Sequence, residues 1–299
     1  GVSNTSVTMN AASMENSGFE FSATYRNRDH ALKYDISANV STLKNKVTSL
    51  GIGKDSYIAG AYATYVGQEI GKFYGWVYKG IARTQEDLDN NAVQQGANVG
   101  DCLYEDISGP DGTPDGVIDA YDQTVLGSGL PKVNFGLSTH LEYKGFDLNI
   151  STYGVLNYHV SDDIYNSLNS CYGYGNKEVG MLDANRWSED GSTYLSSVPR
   201  TYAANNATLA WNDLFSSRKI QNAAYWKIAN VELGYNFPDK WFGGYVNGVR
   251  LYVSAQNLYT FTGYHGYNVD YAGGTFTPGY NFCSFPSART FMCGLHFTF

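Results

Sequence analysis

Runs of about ten residues in which apolar and polar side chains alternate confine this chain to β-strands with two unlike faces. Phe19, Phe21, Ala23 and Tyr25 alternate with Glu20, Ser22, Thr24 and Arg26. Tyr34, Ile36, Ala38 and Val40 alternate with Lys33, Asp35, Ser37 and Asn39. The same period sets Phe135, Leu137, Leu141 and Tyr143 against Asn134, Ser138, His140 and Glu142, and Phe146, Leu148 and Ile150 against Asp147, Asn149 and Ser151. It returns at Val231–Phe237 and Val249–Gln256, and the last run puts Phe291, Cys293, Leu295, Phe297 and Phe299 on one face. Such strands need one surrounding that takes apolar groups and another that takes polar ones.

Splitting Tyr57–Ile81 at Gly67–Gly71 gives two further strands and a total of about nine, each near the ~10-residue length of outer-membrane barrels. The connections then alternate. Asn27–Ala31, Gly67–Gly71, Lys144–Gly145 and Pro238–Gly248 are short, whereas Asn45–Ser56, Ala82–Lys132, Ser161–Gln221 and Gly263–Ala288 are longer. Short periplasmic turns and long extracellular loops produce this pattern in a transmembrane β-barrel. A sandwich has no reason to gather its long loops at one end. An odd strand count leaves two open edges, which hydrocarbon does not tolerate. Residues 1–299 are therefore expected to be the C-terminal part of one larger barrel domain, beginning at Gly1 like a mature or cleaved piece.

Composition agrees. Tyr at 26, Gly at 33 and only 16% charged residues suit an all-β protein with a lipid-facing surface. Mean hydropathy of −0.33 does not oppose a barrel, because inward polar residues offset outward apolar ones. A net charge of −8 argues against nonspecific nucleic-acid binding, which needs basic clusters. Cys102, Cys171, Cys283 and Cys293 have no CxxC spacing and indicate no zinc site; Cys171 and Cys283 lie in loop-like sequence that leaves a pairing open.

Asp111–Asp122, "DGTPDGVIDAYD", follows the spacing of a calcium loop. Asp111, Thr113 and Asp115 take its first, third and fifth positions, Val117 offers a carbonyl, and Asp119 and Asp122 take the ninth and twelfth. Thr113 replaces the usual acid or amide, Asp122 is shorter than the usual Glu, and flanking helices are not evident. Two readings stand: a Ca2+ or Mg2+ site, or an acidic turn that hydrogen-bonds to itself. The five histidines show no ligand spacing, Ser161–Asp163 reads as a solvated loop start, and there is no nucleophile elbow or phosphate-cradling loop. No catalytic residue is expected. The loop aromatics Tyr172, Tyr174, Trp187, Tyr202 and Trp211 are candidates for stacking on a substrate or meeting a partner, or for packing within the loops.

The segments "MENSGFEFSATYRN", "GKFYGWVYKGIARTQEDLD", "DGVIDAYDQTVLGSGLPKVNFGLSTHLEYKGFDLNI", "YWKIANVELGYNFP" and "VRLYVSAQNLYTFTGYHGYNVD" resemble, in order, the C-terminal portion of SusC/RagA-type TonB-dependent transporters. The family writes the acidic segment in a shorter form, so "GPDGT" reads as an insertion and Asp106 as the alternative first acid. The terminal Gly294, Phe297 and Phe299 resemble the signal read by the barrel-assembly machinery. The resemblance implies a barrel of about 22 strands with a plugged lumen. It further implies a multi-pass protein of the bacterial outer membrane, a SusD-like lipoprotein lid, TonB as the energy source through parts not in this chain, and import of glycans or oligopeptides. A soluble carbohydrate-binding β-sandwich and a barrel enzyme are the competing readings.

Overall fold

In the computed structural model the described residues are 12–51, 53–171, 176–179, 187–188, 197–201, 211–242, 246, 248–270, 273–282 and 284–298. Phe299, Cys283, Tyr172, Tyr174 and Tyr202 lie outside them. Seven long strands carry the fold: β1 (Glu20–Asn27), β2 (Leu32–Thr42), β3 (Val133–Tyr143), β4 (Phe146–Leu156), β5 (Tyr225–Phe237), β6 (Gly248–Thr262) and β7 (Thr290–Thr298). They form one sheet in the order β1-β2-β3-β4-β5-β6-β7, every pair antiparallel.

The register fixes which end each connection occupies. Glu20 pairs with Ser41, Thr42 with Val133, Val133 with Leu156, Val155 with Tyr225, Tyr225 with Thr262, and Gln256 with Thr290. Those strand ends share one edge of the sheet, so the excursions 43–132, 157–224 and 263–289 all leave from it. The short turns 28–31, 144–145 and 238–247 lie at the opposite edge. The alternation expected from the sequence holds for these three excursions and three turns, but not for Asn45–Ser56 and Gly67–Gly71, which both fall within the 43–132 excursion.

The strand count is corrected from about nine to seven. Tyr57–Ile81 does not supply two spanning strands. Ser56–Ala59, Tyr62–Tyr65 and Lys72–Gly75 join Thr124–Gly127 in a separate four-stranded sheet, and Tyr78–Ile81 pairs with Cys102–Tyr104. Each of these runs has four residues or fewer, about 13 Å at ~3.3 Å per residue, too short for an apolar band of ~25 Å. Tyr62, Ala63, Thr64 and Phe73 are buried within the loop layer, and only the edge strand exposes apolar side chains, at Tyr57 and Ile58. The connection at 67–71 is a loop-side turn. The count stays odd, and β1 and β7 remain the two ends of the sheet.

The apolar face of the seven strands lies open. Phe21 is 66% exposed, Val253 50% and Leu295 57%, with Ile36, Val40, Leu137, Leu233 and Leu251 also exposed. Aromatic side chains border this face at both edges. Near the turns Tyr25 meets Tyr34 at 5.8 Å, Phe146 meets Tyr235 at 4.6 Å and Tyr235 meets Phe237 at 4.9 Å. Near the loops Trp226 stacks on Phe261 at 5.4 Å and Tyr259 meets Phe261 at 4.7 Å. Tyr235 and Trp226 are nine residues apart on β5. That is roughly 30 Å along the strand at ~3.3 Å per residue, and a tilt of about 40° brings it near the ~25 Å of a bilayer-facing band between aromatic girdles. On β7, Phe297 lies on this face opposite Val249, while Gly294 lies on the other face with the Tyr252 ring over it. A Cβ on Gly294 would enter that ring, so the glycine of the terminal pattern also has a packing role.

This assignment of faces predicts an asymmetry. In the intact transporter, Val253→Lys should destabilise the barrel by about 2–4 kcal/mol, the cost of a lysine near the bilayer midplane, whereas Ser138→Lys on the polar face should be near neutral. The loss of heat-resistant mobility in detergent gels reads both.

Candidate functional site: the polar wall and the loop that crosses it

Near the turns the polar face is charged and satisfied by itself. Arg250 Nε donates to Asp147 Oδ2 at 2.9 Å, Arg250 Nη2 to Glu232 Oε1 at 2.7 Å, and Asn236 Nδ2 to Asp147 Oδ2 at 2.9 Å. His140 bridges Glu142 at 2.9 Å and Asn149 at 2.6 Å; Lys33 reaches Glu142 at 3.5 Å, and Arg28 pairs with Asp35.

Near the loops the wall is different, because β5 and β6 contain a bulge. Asn230 pairs with Gln256, but the next pair is Ile228 with Tyr259, which leaves Ala229 opposite Asn257 and Leu258. Asn257 takes φ 51° to make the step. The extra residue flips the alternation. Lys227 shares the odd parity of Val231 and Leu233 yet pairs with Tyr153 of the polar face. Its side chain is 5% exposed, and the ammonium lies 2.6 Å from Asp270 Oδ2. The Tyr153 hydroxyl donates to the same oxygen at 3.2 Å, its ring lies 5.8 Å from the Lys227 ammonium, and the Tyr225 hydroxyl also faces Asp270.

Asp270 belongs to the loop after β6. That loop does not run on towards β7 but doubles back across the polar face. Ser161 and Asp162 pair in parallel with Tyr280 and Asn281. Asp162 is buried; Tyr264 Oη hydrogen-bonds to it, Asn281 Nδ2 donates to it at 3.0 Å and Tyr165 N at 2.8 Å. Burial and the bond to Asp162 push the Tyr264 phenol up. Val269 and Tyr264 complete an apolar cluster with Val155, Tyr158, Val160, Ala223 and Tyr225. Further along, Pro278 packs onto Gly71 and Gly129, where a Cβ would collide with it. Residues 264–270 and 273–281 thus form a belt from the mouth of β6 back to the mouths of β3 and β4.

Between belt and wall lies a cavity of about 320 Å3, lined by Pro131, Asn134, Tyr153, Val155, Tyr158, Tyr225, Val269 and Asp270. It adjoins a wider depression of about 480 Å3 along the wall at Asn39, Gly136, Ser138 and Ser151.

The candidates singled out in the sequence are placed elsewhere. Asp122 is buried and accepts from Ile107 N at 2.8 Å, Ser108 N at 3.2 Å and Asp119 N at 2.8 Å. Asp119 accepts from Tyr121 N, Asp115 from Val117 N, Asp106 from Gly116 N, and Asp111 from the amide and hydroxyl of Thr113. Those bonds to Thr113 hold the Asp111 carboxyl below its ordinary range. Among the described residues no three acidic, histidine or cysteine groups converge on one point. Asp111, Asp115, Asp119 and Asp122 thus accept from backbone amides within residues 107–121, the bonding of the self-bonded turn reading.

Trp187 is buried against Gly100, and Trp211 packs on Tyr104 at 6.2 Å while its Nε1 donates to Gln95 O at 3.1 Å. Both serve the loop layer's own core. Around them Arg200 holds Asp101 at 2.7 and 2.8 Å, and Asn212 bonds Asp101, Arg200 O and Cys102 N. Burial pushes the Cys102 thiol up to about 12, which makes it a packing group.

The sheet of antiparallel strands with an apolar outside, a polar inside and all long loops at one edge defines part of a transmembrane β-barrel. No family model matches the chain. It is 30% identical over 309 residues to TonB-dependent receptor P3 of Formosa agariphila, covering 97% of this chain and 29% of that receptor. It is 25% identical over 316 residues to TonB-dependent receptor SusC of Bacteroides thetaiotaomicron, covering 99% and 27%. Among solved structures, the RagAB peptide transporter superposes with a TM-score of 0.75 at 21% identity, over 96% of this chain and 29% of that one. Along nearly its whole length the chain is therefore similar to part of the TonB-dependent receptors of SusC and RagA type, and its fold is theirs. It spans less than a third of the length of the curated relatives it matches.

Two substitutions separate the roles of the carboxylates. Asp122→Ala strands three amides and should speed hydrogen exchange across 106–122 by ten- to a hundredfold, equivalent to about 1.4–2.8 kcal/mol, with chelator making no difference to the wild type. Asp270→Ala leaves Lys227 buried without its partner, at a cost of about 3 kcal/mol, and should loosen 264–281 while leaving 106–122 protected.

Proposed function

We propose that this chain forms the C-terminal barrel wall of an outer-membrane TonB-dependent importer of oligomeric nutrients, glycans or oligopeptides, working beneath a SusD-like surface lipoprotein. The observation that carries the reading is the seven-strand wall itself: a girdled apolar face that only lipid can cover, backed by a polar face with a loop folded across it. The sequence similarity to SusC-type receptors supports it. The open edges of β1 and β7 need partners, because each unpaired backbone group in hydrocarbon costs several kcal/mol. An N-terminal remainder of the same transporter, with the plug, the TonB-contacting segment and the other strands, supplies them. The protein performs no chemical step; its residues bind and admit. A soluble sandwich would cover one sheet face with another sheet of similar size, whereas the smaller sheets here belong to the loop excursions.

The test is uptake by cells expressing the whole transporter. Fluorescently labelled oligosaccharides or oligopeptides should accumulate in the periplasm, and accumulation should stop when TonB is deleted or the proton-motive force is collapsed. Uptake that persists under both conditions would exclude an energised importer.

A further inference from the structure

We propose that the loop layer holds an oxyanion site: the cavity at Arg218 and Lys219 takes a carboxylate, sulfate or phosphate group carried on an imported oligomer. The anion assignment rests on the loop layer alone, whereas the imported carrier rests on the importer reading.

The two excursions that build the cavity, 43–132 and 157–224, leave from between β2 and β3 and from between β4 and β5, inside the open ends of the sheet. Ser217 ties one to the other. Its amide donates to Trp76 O at 3.1 Å, and its hydroxyl accepts from Tyr78 N at 3.0 Å. That contact sets the next two residues, Arg218 and Lys219, at the junction. Tyr78 also belongs to the loop layer's own core, where it packs with Trp76, Trp211 and Leu214 on Cys102, Tyr104 and Ile118. The cavity measures about 310 Å3, within the usual size of ligand sites. Tyr78 stands on one side of it, and Tyr165 and Asn166 of the helix Asp163–Leu168 also line it, with Ser197, Arg218 and Lys219.

Charge decides the class of ligand. Both basic side chains are partly buried. Lys219 Nζ donates only to a backbone oxygen, Asp213 O, and burial lowers its pKa against the pull of the Asp213 carboxylate. That carboxylate accepts from Ser170 Oγ at 2.9 Å and Cys171 N at 3.1 Å. Nearby Asp101 is committed to Arg200, and Glu178 accepts from Asn169 at 3.0 Å. Arg218 has no carboxylate partner among the described residues. The ionisable groups that face it are the thiols of Cys102 and Cys171 and the phenols of Tyr78 and Tyr104. Burial pushes the Cys102 thiol and both phenols up, so these three stay neutral. A guanidinium and an ammonium in a recess with low-dielectric walls concentrate positive potential there, and a buried charge without a partner is costly to keep. An oxyanion offsets that cost. The planar fork of Arg218 suits two of its oxygens, and Lys219 a third. The hydroxyls of Tyr78, Tyr165 and Ser197 supply further donors. A neutral group gains none of the charge terms.

The experiment uses the intact transporter purified in detergent at low ionic strength. Calorimetry compares sulfate, phosphate and acetate, then tetragalacturonate with its methyl ester, and an acidic hexapeptide with its Gln-substituted, C-amidated form. At least one charged oligomer is expected to bind roughly tenfold or more tighter than its neutral counterpart. Arg218→Gln should erase that preference, and Arg218→Lys should restore part of it. Lys46→Gln, at an exposed lysine of the first excursion, should change nothing. Melting without any added anion separates a ligand site from a structural ion pair. Arg218→Gln removes an unpaired charge and should hold or raise the melting temperature. A lowered one would show that another part of the transporter supplies the partner, and would overturn the site. So would a wild type that binds no anion, or a charge preference that survives Arg218→Gln. Binding of inorganic anions alone, lost in Arg218→Gln, would overturn the imported carrier. A charge preference lost in Arg218→Gln, in a protein whose uptake ignores TonB, would remove the importer reading and leave the anion site standing.

Discussion

A strand that is apolar on one side and polar on the other must sit between two different surroundings, and everything else in this structure follows from meeting that condition seven times in register. The hydrogen-bond ladder holds β1 to β7 edge to edge, and the period of two carries every outward residue to the same face. Because water is absent from hydrocarbon, the ladder must be continuous through the apolar band. That demand makes the spanning strands long and regular. It also sends all irregular backbone to one edge of the sheet, where loops pair, cap and pack among themselves.

The one break in the ladder has the largest consequence. The bulge at Ala229, opposite Asn257 and Leu258, costs a step of regular pairing. In return it turns Lys227 from the lipid side to the polar side, where it finds Asp270. Lysine left outward would have cost several kcal/mol; turned inward it pins a loop. The belt of residues 264–270 and 273–281 depends on that contact, on the Asp162–Tyr264–Asn281 cluster and on glycines at Gly71 and Gly129 that let backbone approach backbone. Local sequence, strand geometry, packing and the shape of the cavity are joined at that one place.

Much of this was legible in the sequence and some was not. The alternation in β1 to β7 states which residues face out, and the placement of short and long connections was readable from spacing. Tyr57–Ile81 misled because short strands buried within a loop also alternate, and period alone does not report length or surroundings. The acidic segment has the spacing of a metal loop, but spacing does not say whether a carboxylate turns towards an ion or towards the amides of its own turn, as Asp122 does. For Trp187 and Trp211 the sequence left a surface role and packing within the loops both open, because the core of a loop layer has no sequence period. The belt could not be read, since Lys227 and Asp270 are 43 residues apart. One sign was present all the same: a lysine at the parity of Val231 and Leu233, which a barrel strand accepts only through a bulge.

The account stands or falls on which face of the seven-strand sheet meets lipid. The direct measurement is a nitroxide scan along β6, residues 249–255, in the intact transporter reconstituted into bilayers, comparing collisions with oxygen and with a water-soluble nickel complex. The account predicts oxygen maxima at Leu251, Val253 and Ala255, with nickel access confined to the intervening positions, a strict period of two. Uniform access to nickel along the strand, or the opposite phase, would contradict it.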